Sequence, residues 1–375
     1  MKAQVLHPPS SYLTSDPNIE ARFTGCTRRE TWAMRSRHIA FAMTWFQRLT
    51  GVEELSGAHV REQLACVDGV LKNVATGKEW RVGRLDTPSL AELRSSLDHS
   101  TSVPSGRPRL SIHVGDVRKL LANEENQGAT FQVASQFNLL EMPSPTVTPD
   151  EGIGAYEHDH TQGPVCAVAA GPGTIYRQYF SLGGMGQTAG RQINCLEPVH
   201  QELCRSLSQS TDKPLWSMLN GYALFSSDQA RRLKAHVETL AEPDKDRLRE
   251  LLQIGVMADT QVTMDESTTH TISQAYCSAL PVAYSSADAK DMEPFARIIL
   301  EAAYEATLSS ALLTDRRICY LSLLGGGVFG NELGWILDGI DRALSRVGGY
   351  DLQVILNLYR PNEDPRIASL LQKWG

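Results

Sequence analysis

The amino-acid sequence predicts an α/β fold, a three-layer mixed sheet flanked by helices, with an N-terminal helical extension and a helical insertion. Two observations carry this. From about residue 110, short apolar runs alternate with segments of helical periodicity, the pattern of strands buried on both faces and of helices crossing between them. Near the C-terminus the alternation is compressed into one unit: a strand over 317–324, a glycine turn over 325–330, a helix over 332–347 and a closing strand over 352–359.

In chain order, residues 1–105 mix helical stretches, 29–50 and 59–73, with polar breaks, and read as the helical extension. The 100–108 stretch, Ser-Thr-Ser-Val-Pro-Ser-Gly-Arg-Pro, reads as a linker, so the α/β domain is expected over 106–375. Its first strands are 110–114 and 129–135. A helix of small residues follows over 162–170, slim enough to pack closely on a sheet or a ligand. Residues 187–250 read as a polar, helical insertion. Further strands are expected over 254–264 and 273–283, and a long amphipathic helix over 292–313.

Of the 375 residues, 42% are hydrophobic and 21% charged, which suits a folded domain with a substantial core and argues against intrinsic disorder. A formal net charge of -7 leaves no global positive field for a nucleic-acid backbone or an anionic membrane, so neither partner is expected. Arg28, Arg29, Arg35 and Arg37 form only a local basic patch, read as a solvated helix face. Seven cysteines without C-x-x-C spacing favour a reducing compartment. Residues 1–15 hold no apolar core followed by a cleavage site, and no apolar run reaches the roughly 18 residues of a membrane span. The expectation is a cytoplasmic monomer, or one in a host cytosol if the protein is a secreted effector.

A strand that feeds a glycine-rich turn and then a helix gathers backbone N–H groups and the positive end of a helix dipole around one point, which suits a phosphate. Gly325, Gly326, Gly327, Val328, Phe329 and Gly330 form such a turn. It carries no Gly-Lys-Ser/Thr, so it is not a P-loop. It matches G-x-G-x-x-G through Gly325, Gly327 and Gly330, but the next strand ends Asn357-Leu-Tyr359 without the acidic residue a dinucleotide site requires. The alternative is a tight turn chosen for backbone geometry alone.

The context of this loop resembles the macrodomain superfamily. Ser322-Leu-Leu-Gly-Gly-Gly-Val-Phe-Gly330 resembles that family's second diphosphate loop, and the strand behind it ends at Tyr359, where the family places a residue near adenine. Ile112-His-Val-Gly-Asp-Val117 resembles the Gly-Asp-Ile element. The resemblance implies that Asp116, with Val117, receives the adenine amino group. Val133-Ala-Ser-Gln-Phe-Asn138 resembles the strand that ends beside the distal ribose, with Asn138 as its last residue. Thr161-Gln-Gly-Pro-Val-Cys-Ala-Val-Ala-Ala-Gly-Pro172 is similar to the small-residue helix beside the ligand, with Gly163 at its start.

The sequence departs from the family where its first glycine loop would stand. There it carries an acidic segment over 140–160, as in divergent, carboxylate-rich macrodomain hydrolases of bacterial effectors, a group that resembles poly(ADP-ribose) glycohydrolases in outline and acts on ADP-ribosylated ubiquitin. The resemblance implies an ADP-ribosyl hydrolase with an ADP-ribosylated protein as partner, ubiquitin and an arginine linkage being the specific candidates. ADP-ribose is then substrate or product, and no cofactor is expected.

Cleavage at the distal ribose passes through an oxocarbenium-like transition state, which carboxylates stabilise or serve with water activation. Glu141, Asp150, Glu151 and Asp159 are the candidates, with Glu157 in the same segment; the alternative for each is a helix cap or a solvated loop charge. His158-Asp-His160 lacks the third and fourth ligands of a metal site, and no metal is expected. Cys166 lies in an apolar run and no Gly-x-Ser-x-Gly elbow occurs, which sets covalent mechanisms aside. A non-catalytic ADP-ribose reader and a hydrolase of another nucleotide diphosphate are the competing functions.

Overall fold

Local chemistry sets the first elements of the computed structural model, which describes residues 43–208, 214–265 and 268–375. Thr44 caps the helix Trp45–Thr50 and Ser56 caps Gly57–Gln63, each side chain accepting a backbone N–H of the first turn. The helix expected over 59–73 stops at Gln63. Asp68 and Gly69 adopt φ of 50° and 75°, the left-handed geometry an Asp-Gly turn favours, and the chain folds back as a hairpin. Its strands β1 (Leu64–Val67) and β2 (Val70–Asn73) form a small antiparallel sheet with β3 (Glu79–Arg81). The basic patch at Arg28, Arg29, Arg35 and Arg37 and most of the helix expected over 29–50 lie outside the described residues.

The remaining strands are β4 (Arg84–Asp86), β5 (Pro108–Val114), β6 (Thr130–Ala134), a hairpin of β7 (Ser217–Leu219) and β8 (Tyr222–Leu224), then β9 (Gly255–Gln261), β10 (Thr271–Cys277), β11 (Ile318–Leu321) and β12 (Leu352–Leu358). Seven of them make the central sheet, in the order β4-β9-β10-β6-β11-β12-β5. β10, β6, β11, β12 and β5 run parallel, while β9 runs against them, antiparallel to both of its neighbours, β10 and β4. The three-layer mixed sheet is as expected, with one correction: β4, from the stretch read as a helical extension, is an edge strand of the central sheet. Residues 44–375 form one compact unit.

Alternation along the strands builds two cores. Leu352, Val354, Leu356 and Leu358 of β12 face one side, with Cys319 and Leu321 of β11, against helices Ala289–Leu312, Leu333–Arg346 and Pro365–Trp374. Ile355, Tyr320, Phe131 and Tyr276 face the other, towards Val117–Ala122, Gln162–Ala169 and Gly171–Tyr179. The helices expected over 187–250 form as Glu197–Ser206, Ser227–Thr239 and Glu242–Leu251, and join the first core through Leu203, Leu233, Val237 and Leu248. Between them stands the β7–β8 hairpin, turned by Asn220-Gly221 at φ of 46° and 81°.

The sheet opens between β6 and β11. Their pairing ends at Phe131 and Tyr320. Beyond it the Gln162 side chain substitutes for a strand: its Oε1 accepts Ala134 N–H at 2.9 Å and its Nε2 donates to Gln132 O at 2.7 Å. Gly163 next to it could carry no Cβ, which would lie 1.9 Å from Ala134 O. Close packing therefore accounts for Gly163, the residue expected to touch a ligand.

Candidate functional site

Five parallel strands end on one edge of the sheet. Ligands of open α/β sheets bind at that edge, because the loops leaving neighbouring strands present their unpaired backbone groups together. β11 runs out there into the glycine loop. Gly325 and Gly330 both have φ of 73°. A Cβ on Gly325 would lie 2.4 Å from that of Ala279 and 2.7 Å from Asn331 Nδ2, so the position requires glycine; a Cβ on Gly327 would meet nothing within 4 Å. Asn331 closes the loop, donating its N–H to Gly325 O at 2.9 Å and its Nδ2 to Leu280 O at 2.8 Å. Among the described residues, no hydrogen bond takes up the N–H groups of Gly327, Val328 and Phe329. Gly326, Gly327 and Val328 are exposed, and the helix Leu333–Arg346 starts directly behind them.

Phe329 does not stand alone. Its ring centroid lies 5.5 Å from that of Tyr222 and 5.8 Å from that of Tyr284, and the two tyrosines are 5.4 Å apart. Tyr222 is anchored by donating its hydroxyl to Met142 O at 2.6 Å. Its neighbour Gly221, at the hairpin tip, lies against Asn138, where a Cβ would fall 2.5 Å from Oδ1. The hairpin thus links the glycine loop to the segment that follows β6. Sequence reasoning missed Tyr222 and Tyr284, although the Asn-Gly pair at 220–221 between two apolar runs signalled the hairpin.

Asn138 is buried and committed internally. Its Nδ2 donates to Gln192 Oε1 at 2.8 Å and its Oδ1 accepts Leu140 N–H at 3.1 Å. Gln192 in turn donates to Asn220 Oδ1 at 3.0 Å and Ala189 O at 3.3 Å. Asp150 joins this group by accepting Ala189 N–H at 2.9 Å. Asp150 is exposed, as is Glu151, whose Oε1 accepts Thr148 N–H at 3.1 Å in a capping box.

The charge of Asp159 is felt at the aromatic group. Burial raises the Tyr222 and Tyr284 phenols, and the Asp159 charge raises both further. Its Oδ1 accepts the N–H and hydroxyl of Thr161 at 2.8 and 2.7 Å, which leaves Oδ2 without a partner in this contact. Glu157 is tied instead to Arg48 at 2.6 Å. His158 and His160 are exposed, and among the described residues no group of three or more His, Cys, Asp or Glu side chains could hold a metal ion.

Glu141 is placed differently from the other carboxylates. It is fully buried, paired with Arg177 at 2.9 Å, and its backbone N–H donates to Tyr156 Oη at 2.9 Å. Arg177 also donates to Leu139 O and to Thr174 Oγ1, with its guanidinium 3.7 Å from the centroid of the Tyr276 ring. Burial pushes the Glu141 carboxyl up to about 7 against the opposing pull of Arg177. As it stands, this pair braces the segment after β6 from inside.

At the far end of the edge, β5 and β12 bring Asp116 and Tyr359 into neighbouring positions. Gly115 N–H donates to Leu358 O at 2.8 Å. Asp116 caps the helix Val117–Ala122 by accepting Arg118 N–H at 2.9 Å and pairs with the Arg118 guanidinium, which holds its carboxyl below the usual range. Val117 is buried in the core, whereas Tyr359 is 70% exposed, with the Arg360 guanidinium 5.9 Å from its ring centroid. His113 joins them, with Nδ1 2.7 Å from Asn357 Oδ1.

No family model and no curated protein matches this chain. Among solved structures, the chain is similar to poly(ADP-ribose) glycohydrolase from Deinococcus radiodurans in complex with ADP-ribose, at 10% identity and a TM-score of 0.42, covering 86% of this chain and 98% of that one. It is also similar to poly(ADP-ribose) glycohydrolase from Thermomonospora curvata, at 10% identity and a TM-score of 0.41, covering 85% and 96%. No helix among the described residues is long and apolar enough to cross a membrane.

Proposed function

We propose that this protein is an ADP-ribosyl hydrolase acting on an ADP-ribosylated protein. The observation that carries the reading is the β7–β8 hairpin, which joins the glycine loop, through Tyr222 on Phe329, to Asn138 in the segment that follows β6. One extended ligand fits this edge. Its adenine lies at Asp116 and Tyr359, its diphosphate on the free N–H groups of Gly327, Val328 and Phe329, and its distal ribose on the aromatic side by Asp159.

In the reaction, a water oxygen bonds to the anomeric carbon of the distal ribose while the bond from that carbon to the protein side chain breaks. The water proton passes to a carboxylate and is returned to the leaving atom, so one water is consumed per ADP-ribose released. Asp159 is the first candidate for the base, with Asp150 and Glu151 next on the same loop. Glu141 supports the loop. Ubiquitin and an arginine linkage are the substrate candidates this reading carries.

The test follows free ADP-ribose by mass spectrometry after mixing the protein with ADP-ribosylated substrates. Turnover is expected, and Asp159→Asn should lower it by about 10²- to 10⁴-fold with ADP-ribose affinity within about threefold of the parent. Tight ADP-ribose binding without release would leave a reader in place of a hydrolase. Absence of binding would remove the site itself.

A further inference from the structure

The acidic segment is held from a distance. Glu54, in the stretch between the helices Trp45–Thr50 and Gly57–Gln63, reaches its middle. Its Oε1 accepts Ile153 N–H at 2.9 Å and its Oε2 accepts Gly154 N–H at 2.7 Å. Tyr179 donates its hydroxyl to the same Oε1 at 2.5 Å. Asp150 and Glu151 lie just before these two amides, and Asp159 follows the helical turn Gly154–His158 that starts at the second of them. The carboxylate therefore grips the loop between its candidate catalytic groups.

Two glycines of the loop are explained by that grip. A Cβ on Gly152 would lie 2.7 Å from Glu54 Cδ, and a Cβ on Gly154 would lie 2.7 Å from Glu54 Oε2. Either would displace the carboxylate. The same N-terminal stretch adds a second hold, with Trp45 Nε1 donating to Ile153 O at 2.8 Å and Trp45 N–H donating to Glu157 Oε1 at 3.1 Å. Adjacent N–H groups that both donate to one carboxylate fix the backbone direction on either side. A loop so fixed presents its side chains in one geometry, which is what efficient use of a carboxylate requires.

We infer that Glu54 is the positioning residue of the acidic loop, setting Asp150, Glu151 and Asp159 for the reaction without touching substrate. This role rests on the hydrolase reading. It makes Glu54 a determinant of turnover more than of ligand affinity, since the glycine loop and the Asp116 end lie on other elements.

The test compares the full-length protein with Glu54→Gln and Glu54→Ala. Per-site kcat is normalised by the ADP-ribose binding stoichiometry from calorimetry, so that unfolded molecules do not count. The expected result is a fall of about tenfold or more in kcat for Glu54→Ala and a smaller fall for Glu54→Gln, which keeps one acceptor oxygen, with KM and ADP-ribose Kd within about threefold. Amide exchange should rise at Ile153 and Gly154 in both variants. A Glu54→Ala protein with parental kcat per site beside an active parent would overturn the positioning role alone. An inactive parent would overturn the hydrolase reading and this role with it.

Discussion

The rings of Tyr222 and Phe329 meet at a centroid distance of 5.5 Å and an interplanar angle of 48°, joining a hairpin tip to the glycine loop across more than a hundred residues of chain. Contacts of this kind contribute about 0.5–1.5 kcal/mol beyond area burial. If the ribose rests on this group, Phe329→Ala weakens ADP-ribose binding by roughly tenfold. Titration calorimetry checks this, and unchanged affinity would mean that the Phe329 ring does not carry the ribose.

The glycines of the loop should divide by substitution. Gly325→Ala forces a side chain into left-handed backbone and against Ala279, and is expected to cost roughly 1–3 kcal/mol of stability. Gly327→Ala has open space and should fold within about 0.5 kcal/mol of the parent. Its added methyl group stands where a diphosphate would approach, so ADP-ribose affinity should fall. Thermal unfolding and calorimetry on the two variants separate the roles, and equal unfolding temperatures would contradict the packing argument.

Glu141 and Arg177 should leave a signature in stability against pH. Burial raises the Glu141 carboxyl from 4.5 to about 7 in the folded protein, so the folded state holds this proton more tightly than the unfolded chain does. The contribution is complete below about pH 4.5 and is lost as pH rises towards 7. Glu141→Gln should flatten that slope in chemical denaturation curves. Arg177→Met leaves the carboxylate buried without its cation and should destabilise the protein by roughly 3–5 kcal/mol at pH 8. A slope identical in the parent and in Glu141→Gln would show that the pair does not titrate in this window.

Acid stability should depend on Glu305, on the opposite face of the sheet. This buried carboxylate pairs with Arg94 and Arg342, each at 2.6 Å, and with Arg346 at 3.4 Å, tying helix Leu90–Asp98 to Ala289–Leu312 and Leu333–Arg346. Although burial opposes ionisation, the arginines hold its pKa below the ordinary 4.5. Its contribution is therefore present above pH 4.5 and lost as pH falls through the lower folded value. Glu305→Gln should reduce stability at neutral pH by about 3 kcal/mol and lessen the loss between pH 5 and 3. Unfolding temperatures of both proteins across that range provide the measurement.

The sequence by itself determined the three-layer sheet, the central-sheet strands from residue 110 onward and the glycine turn. Apolar periodicity records which face of an element meets the core, and the glycine run records where backbone must turn, and neither requires knowledge of a partner. Two hairpins escaped the sequence reading despite their Asp68-Gly69 and Asn220-Gly221 turns, because helical patterning around them masked the signal. Tertiary structure decided what the charged and aromatic side chains do. Glu141 meets Arg177 across 36 residues and Glu54 meets Ile153 across 99, and the hairpin tip sets Tyr222 on Phe329. A carboxylate in a loop reads the same whether it is exposed like Asp150 or sealed like Glu141. Only the packing of distant segments removes one from water and leaves the other at the sheet edge.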